Sequence, residues 1–371
     1  MILSPKEFRE ELHKIPEVAF NEYKTTQFIV DNIRKAKEKY NSNLELFRLL
    51  ETGLICVYTQ NLGEEYTLFR ADIDALPIKE KTGVDFSSKN NNMHACGHDV
   101  HSSILYGTIL EVMKNDIKKN LIFVFQPAEE HGGGAEKILK TGFLDKYKIK
   151  NAFALHVTDE YDLGTISSTK GTLFASAMEF DVDFKGVAAH CARPDKGKNA
   201  LDAARMFLDQ IEKMPKNPEI PLVVGVGKMQ AGNVRNIIAP TAKIEGTLRS
   251  TDSKSCEKYR ENMKNILNGI ENITGVETTF DMGSFYKEVI VDAELYDKVE
   301  EILKDEYKIT DVGFKFTGED FGFFTQKYPS FMFWLGTNEG QQFGLHNPQF
   351  LPSSKVINIG IDIFQKIIKN I

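Results

Sequence analysis

The 371-residue chain has few cysteines: Cys56, Cys96, Cys191 and Cys256 are its whole complement, and they lie far apart. So few in so long a chain make no disulfide framework, and a reducing compartment is expected. It has no block of basic residues, because its 46 Lys and Arg are scattered among 53 Asp and Glu for a net charge of −7. That argues against nucleic-acid and anionic-membrane partners, which call for a basic stripe. No apolar run approaches the ~18 residues of a membrane span. The opening MILSPKEFREELHK lacks the apolar core of a signal peptide, so a cytoplasmic location is expected. Repeats, low-complexity tracts and flexible linkers are also missing. What is present is an ordinary globular composition, 42% hydrophobic and 27% charged. The length exceeds what one core usually fills, which predicts two domains.

The pattern along the chain sorts into two kinds. Helix is predicted from Ser4 to about residue 39, broken at Pro16, with Ser4 and Pro5 as a start signal. LICVYT (54–59), YTLFRADI (66–73), LIFVFQ (121–126), NAFALHV (151–157) and SFMFWLG (330–336) read as strands. Ile104, Leu105, Ile109, Val112 and Met113 keep helical spacing between two of them. Strand alternating with helix predicts an α/β fold with a mainly parallel sheet. In the middle, residues 178–184, 222–229 and 242–249 alternate apolar and polar, with helices near 199–213 and 254–271 and a last strand at 276–282. That order predicts a split βαβ layer. The expected organisation is therefore a discontinuous larger domain, 1–174 and 286–371, with a smaller α+β (ferredoxin-like) domain inserted at 175–285. The chain then ends in an amphipathic helix at 355–370.

Ionisable residues gather after the strands of the larger domain. Asp72 and Asp74 end one strand, Glu129 and Glu130 follow LIFVF, His156 ends NAFALH, and His346 lies in the loop after SFMFWLG. In open α/β sheets ligands bind beyond the carboxyl ends of the strands, so these groups could converge. The densest cluster, MHACGHDVH at 93–101, holds three of the eight histidines and Cys96. Thiolate with imidazole suits a zinc-like transition metal rather than calcium or magnesium. The alternative is a small core cysteine beside histidines that cap a helix starting near Asp99. Adjacent carboxylates such as Glu129 and Glu130 are ordinarily a solvated loop, and are costly side by side in a cleft without a cation. Beside a metal, one could ligate while the other takes a proton, the division that metal-assisted hydrolysis requires. Gly132, Gly133 and Gly134 could let the backbone approach a ligand or form a simple turn. His13 could cap a helix end; His94, His101 and His131 could be solvated or support a ligand; His190 in the inserted domain could reach a substrate or be a bystander.

Taken together, RADIDALPI, MHACGHDVH, QPAEE with GGGA, FALHV, VAAH, NVRNIIAPTAKIEGTLR, TGEDFGFF and GLHNP occur in the order found in one family. The chain resembles the metal-dependent amidohydrolases of the aminoacylase and carboxypeptidase superfamily, which includes hippurate hydrolases and indole-acetyl-amino-acid hydrolases. The likeness spans nearly the whole chain, and LFASAMEF and TGEDFGFFTQKYPSFMFWLG suggest a deacetylase branch within it. The resemblance implies two divalent transition-metal ions (zinc, manganese, cobalt or nickel) in the parallel-sheet domain, and an inserted lid that also forms a homodimer or higher oligomer. Carried over by position, it implies Cys96, His98, Glu130, His156 and His346 as metal ligands and Glu129 as general base. Asp72 would orient a ligand, His190 would steady the oxyanion in a partner's site, and Asn236 and Arg249 would meet a substrate carboxylate. Carboxypeptidase-like relatives place a metal-binding His two residues before the strand-end acid, where this chain has Arg70; Cys96 and His98 supply ligands instead. Cys191 receives no role. The resemblance thus implies hydrolysis of the amide of an N-acyl amino acid. Competing readings are a hippurate-type hydrolase or dipeptidase of the same fold, and a binding protein that lost catalysis. The last would be expected to lack a second carboxylate beside the metal-binding one, yet Glu129 is present.

Overall fold

In a computed structural model, which describes residues 2–61, 63–215, 217 and 219–371, Ser4 caps the first helix, α1 (Pro5–His13). Its side chain accepts the Glu7 N–H while the Glu7 carboxylate accepts the Ser4 N–H, a reciprocal cap. The chain turns at Pro16 and resumes in α2 (Tyr23–Tyr40), whose Asn41 cap is left-handed. Three strands follow, β1 (Glu45–Phe47), β2 (Leu54–Tyr58) and β3 (Tyr66–Asp72). Helix α3 (His98–Lys114) buries every residue except Glu111 and Lys114, because α1 and β3 press on it from within the same unit. Strand β4 (Asn120–Gln126) is wholly buried and leads to α4 (Gly134–Lys140), β5 (Ile149–Asp162) and β6 (Ile166–Ser168).

The chain forms two compact units, one running to Leu173 with Val289–Phe314 and Asp320–Ile371, the other Phe174–Glu288 with Lys315–Glu319. The second unit is built from β7 (Gly171–Lys185), α5 (Ala200–Lys213), β8 (Leu222–Ala231), β9 (Thr241–Ser250), α6 (Ser253–Thr274) and β10 (Glu277–Tyr286). Its sheet runs β10–β7–β9–β8 with every one of these pairs antiparallel. Fourth strand, first, third and second is the ferredoxin-like order. The inward residues of the alternating strands, Met178, Phe180, Val182 and Phe184, close on Phe207, Met263 and Leu267 of the two helices.

The return to the first unit adds β11 (Val289–Val291), α7 (Ala293–Leu303) and β12 (Ile309–Asp311). The short β13 (Lys315–Gly318) pairs in parallel with β7 in the second unit. Then come α8 (Gly322–Thr325), β14 (Ser330–Asn338) and α9 (Lys355–Asn370), which lies along α3. The large sheet has the order β1–β2–β4–β3–β5–β14–β6–β12. Its four central strands, β4, β3, β5 and β14, are parallel, with antiparallel β2 and β6 beside them. The carboxyl ends of β3, β4 and β5 therefore share one edge, and Asp72 pairs with Gln126 at that edge.

Candidate metal centre

At that edge the first unit collects its buried charges. Cys96 Sγ lies 3.3 Å from His156 Nε2. His346 Nε2 is 3.3 Å from Glu130 Oε1. His98 Nε2 is 3.7 Å from Asp72, 3.9 Å from Glu129 and 3.9 Å from Glu130. Three overlapping sets, Cys96–His98–His156, Cys96–Glu130–His346 and His98–Glu129–Glu130, each keep their donor atoms within 4.8 Å of one another. Thus Asp72, Cys96, His98, Glu129, Glu130, His156 and His346 come together from five segments of the chain.

Local backbone geometry explains why these side chains can point inward. Gly97, between Cys96 and His98, has φ +87°, and a Cβ there would lie 2.4 Å from Val157 Cγ2. After β4 the chain turns sharply at Ala128, with φ 56°, and Gly134 passes so close to the Pro127 carbonyl that a Cβ would lie 1.7 Å from its oxygen. His346 is also left-handed, with φ 62°. Such conformations in Ala and His are uncommon and are held by their surroundings. Here Ala128 N–H donates to Glu22 Oε1 at 2.8 Å, and Glu130 N–H donates to Asp74 Oδ2 at 3.0 Å. His346 N–H donates to Ala95 O at 2.9 Å.

The histidines divide by what their second ring nitrogen does. His98 Nδ1 faces Asp74 O at 3.0 Å and donates to it, which leaves Nε2 as a lone pair. That Nε2 is buried and has no hydrogen-bond partner among the described residues. His156 Nδ1 likewise donates to Val157 O at 2.8 Å and turns Nε2 toward Cys96. A second partner that fixes the tautomer in this way is the usual setting of a metal-binding imidazole. His101 is different. Its Nε2 accepts the Val157 N–H at 2.9 Å and its Nδ1 donates to Asp72 Oδ1 at 2.7 Å, so neither nitrogen is left for an ion. His101 therefore supports Asp72 instead of ligating. No side chain caps α3, so the helix-capping alternative for this cluster fails.

The electrostatics ask for positive charge. Burial alone would raise the Asp72 carboxyl, but His98, His101 and Arg70 outweigh it and hold Asp72 well below the usual carboxylate range. Burial opposes a charged His98, yet Asp72, Asp74 and Glu130 raise its imidazole to about 10. A field that draws a proton so strongly to one nitrogen offers a divalent cation the same attraction. Burial, with Glu130 and Glu129 adding to it, pushes the Cys96 thiol well up, so a free thiolate nucleophile is disfavoured. Burial and His101 keep His156 neutral, the form in which imidazole ligates. The donor set and the orphaned His98 nitrogen fit a pair of transition-metal ions.

Arg70 takes part without offering a lone pair. From β3 its Nη1 donates to Asp72 Oδ2 at 2.8 Å, its Nη2 to Asp320 Oδ1 at 2.9 Å and its Nε to Gln126 Oε1 at 2.8 Å. Asp320 is bound in turn by Gln126 Nε2 and by the Ala135 N–H at 3.0 Å. One buried guanidinium thus ties β3, β4 and the start of α4 together beneath the centre. His13 does not simply end a helix: its Nδ1 meets Asp99 at 2.8 Å and its Nε2 meets Glu80 at 3.2 Å. His94 is buried and held neutral, its pKa pushed down to about 3 by burial, and His131 is exposed.

His190, Asn236 and Arg249 all belong to the second unit. His190 is exposed and pairs with Ile237 in an isolated bridge, next to the Cys191 N–H that donates to Asn236 O at 3.0 Å. Its Nδ1 accepts the Ala192 N–H at 3.1 Å, which places the ring proton on Nε2 as an outward donor. Arg249 Nη1 donates to Phe316 O at 2.7 Å. Cys191 is exposed, with its sulfur 4.0 Å from Arg235 O.

Comparison with known proteins gives this arrangement a context. The model of peptidase family M20/M25/M40 matches residues 68–370. An N-acetyldiaminopimelate deacetylase of Exiguobacterium sibiricum is 38% identical over 361 residues, 96% of this chain and 96% of that protein. One of Oceanobacillus iheyensis is 36% identical over 369 residues, 98% of each chain. A solved Bacillus subtilis structure, described as a dinuclear metal-binding peptidase of the M20 family, has a TM-score of 0.80 at 28% identity. It covers 99% of this chain and 98% of its own.

Proposed function

The chain belongs to peptidase family M20/M25/M40, and on that premise we propose that it removes the acetyl group from N-acetyl-L,L-diaminopimelate. The products are L,L-diaminopimelate and acetate, a step of lysine biosynthesis. What carries the hydrolytic reading is the buried His98 Nε2, without a hydrogen-bond partner and ringed by Asp72, Glu129 and Glu130. The substrate comes from the names of relatives 36–38% identical over nearly the full chain.

Cys96, His98, Glu130, His156 and His346 would hold two divalent ions, of zinc, manganese, cobalt or nickel. When bound, such ions supply Lewis acidity and make water a strong nucleophile near neutral pH. Glu129 accepts the proton of the attacking water as its oxygen bonds to the acetyl carbon. It then returns that proton to the amine nitrogen as the carbon–nitrogen bond breaks. Asp72 stays ionised between Arg70 and His101, with its carboxylate 3.7 Å from His98 Nε2, beside the ligands it would orient. His190 donates from Nε2 to the oxyanion in a neighbouring subunit's site, and Asn236 and Arg249 meet the substrate carboxylate.

A homodimer through the second unit fits its exposed edge strand β8, where Val223, Val226 and Met229 face solvent. A cytoplasmic setting fits four unpaired cysteines and the lack of any described helix long and apolar enough to cross a membrane. The deciding experiment compares kcat/KM on N-acetyl-L,L-diaminopimelate, N-acetyl-ornithine and hippurate with one metal-loaded preparation. Preference for the first supports the assignment. Preference for hippurate would retain the amidohydrolase chemistry and discard the substrate.

A further inference from the structure

The five candidate ligands are not held alike. Cys96, His98 and His156 are buried and the Glu130 side chain is 12% exposed, whereas that of His346 is 52% exposed. Packing does little to fix such a side chain, so its place is set by the backbone that carries it. That backbone is left-handed at His346, a conformation its surroundings must hold.

From His346 onward the main chain does the fastening. His346 N–H donates to Ala95 O at 2.9 Å, and Lys81 N–H donates to Pro348 O at 2.8 Å. Ahead of the histidine the fastening falls to one side chain. Asp159 Oδ2 accepts the N–H groups of Phe343 and Gly344 at 2.6 and 2.9 Å. Among the described residues, positions 341–345 make no other hydrogen bond. The Phe343 side chain is exposed, and a Cβ added at Gly340 or Gly344 would meet no atom within 4 Å. This stretch is thus loosely packed and tied by a charge-assisted pair of bonds. Asp159 is itself buried and lies on β5, the strand that carries His156. One strand therefore presents a candidate ligand and tethers the loop of another. Asp159 Oδ1 is buried with no hydrogen-bond partner among the described residues. Burying a carboxylate with one oxygen unpaired costs stability, so support of the fold does not account for the residue.

We propose, on the two-ion reading above, that Asp159 is a positioning residue for the ion that His346 would share with Cys96 and Glu130. The donor atoms of those three lie within 4.8 Å of one another, as do those of Cys96, His98 and His156, a set that excludes the loop. By holding Phe343 and Gly344, Asp159 fixes the path of the chain into His346, so the imidazole is in place before an ion arrives. Groups that orient ligands in this way account for about ten- to a hundredfold in metal affinity.

The test uses the full chain, stripped of metal by chelation and titrated with zinc alone. The wild type should take up two ions. Asp159→Ala should keep the affinity of one and bind the other about ten- to a hundredfold more weakly. Asp159→Asn retains an oxygen that accepts both N–H groups, and should bind both ions nearly as the wild type does. Hydrogen exchange on the zinc-free wild type needs no variant to fold. There the Phe343 and Gly344 amides should be protected, and Asp159→Ala should remove that protection. Two wild-type ions together with unprotected amides, unchanged affinities in Asp159→Ala, equal weakening of both ions, or Asp159→Asn as weak as Asp159→Ala would overturn the proposal and leave the two-ion reading standing. A wild-type chain that takes up fewer than two ions would overturn both.

Discussion

The two units handle polar groups in opposite ways. The first buries Arg9, Arg70, Asp72, Asp74, Asp99, His98 and His101 and satisfies most of them through one another. The second, among the described residues, buries only two charged side chains, Glu288 and Glu319, around a core of Met, Phe, Leu and Ile. Its candidate substrate residues, His190 and Asn236, stand in solvent. The contrast follows from the tasks proposed for each. Ionisable groups that must hold ions and take a proton gain strength from low dielectric and fixed geometry. Groups that meet an incoming substrate need access. Burial makes the first unit sensitive to single changes, whereas the second has a plain core and should tolerate changes on its surface.

That difference can be broken most forcefully at Arg70. Arg70→Met keeps the volume but leaves Asp72 and Asp320 buried without their cation, a loss of the order of 3–5 kcal/mol. Denaturant unfolding should show the deficit, together with reduced metal content. An unchanged midpoint would mean that Arg70 fills space and does not organise the centre.

In the second unit the largest effect should be catalytic. His190→Ala should lower kcat by about a hundred- to a thousandfold, with metal content and unfolding midpoint unchanged. Hybrids of His190→Ala with Glu129→Gln subunits should recover activity if His190 serves a neighbouring site. A fall in metal content would place the residue in a different role.

A smaller effect is expected at Glu22, which accepts the Ala128 N–H beneath the turn that carries Glu129. Burial, with Asp74 adding to it, raises the Glu22 carboxyl to about 7. Below the unfolded value both states are protonated and nothing is lost. As pH rises toward 7 the unfolded chain releases its proton first, so native stability falls through that window and then levels off. Glu22→Gln removes the penalty and should gain about 1–3 kcal/mol over wild type between pH 4.5 and 7. A constant difference across that range would contradict the assignment. The smallest effect belongs to the second unit's surface: Lys243→Ala, which breaks the pairs with Asp181 and Glu245, should leave the unfolding midpoint where it was.

Periodicity made the long elements legible. Residues 355–370 read as helix and form α9, and LIFVFQ lies in β4, because burial on one stripe or both faces leaves a clear pattern. Three-residue strands such as β1, β6 and β12 are too short to carry a period and escaped notice. Strand β5, read over seven residues, extends from Ile149 to Asp162 because pairing with β14 continues past the apolar run. Of the glycines at the start of α4, read as a turn or a ligand approach, Gly134 is needed where it passes the Pro127 carbonyl.

In the site, residue types revealed the candidate ligands, but supporting contacts depend on tertiary geometry. Nothing local distinguishes His101, which braces Asp72, from His98, whose nitrogen stays open. Arg70 was visible only as the absence of a histidine, and Asp320 only as a letter in TGEDFGFF. Their bond joins positions 250 apart in sequence.

The central claim is that the neighbouring carboxylates of Glu129 and Glu130 divide the work, one taking the proton and the other holding an ion. Its most direct test is metal content measured alongside turnover in Glu129→Gln and Glu130→Gln. Glu129→Gln should keep nearly full metal and lose about a hundred- to ten-thousandfold in turnover, while Glu130→Gln should lose metal. Equal metal loss in both variants, or metal loss in Glu129→Gln alone, would contradict the account.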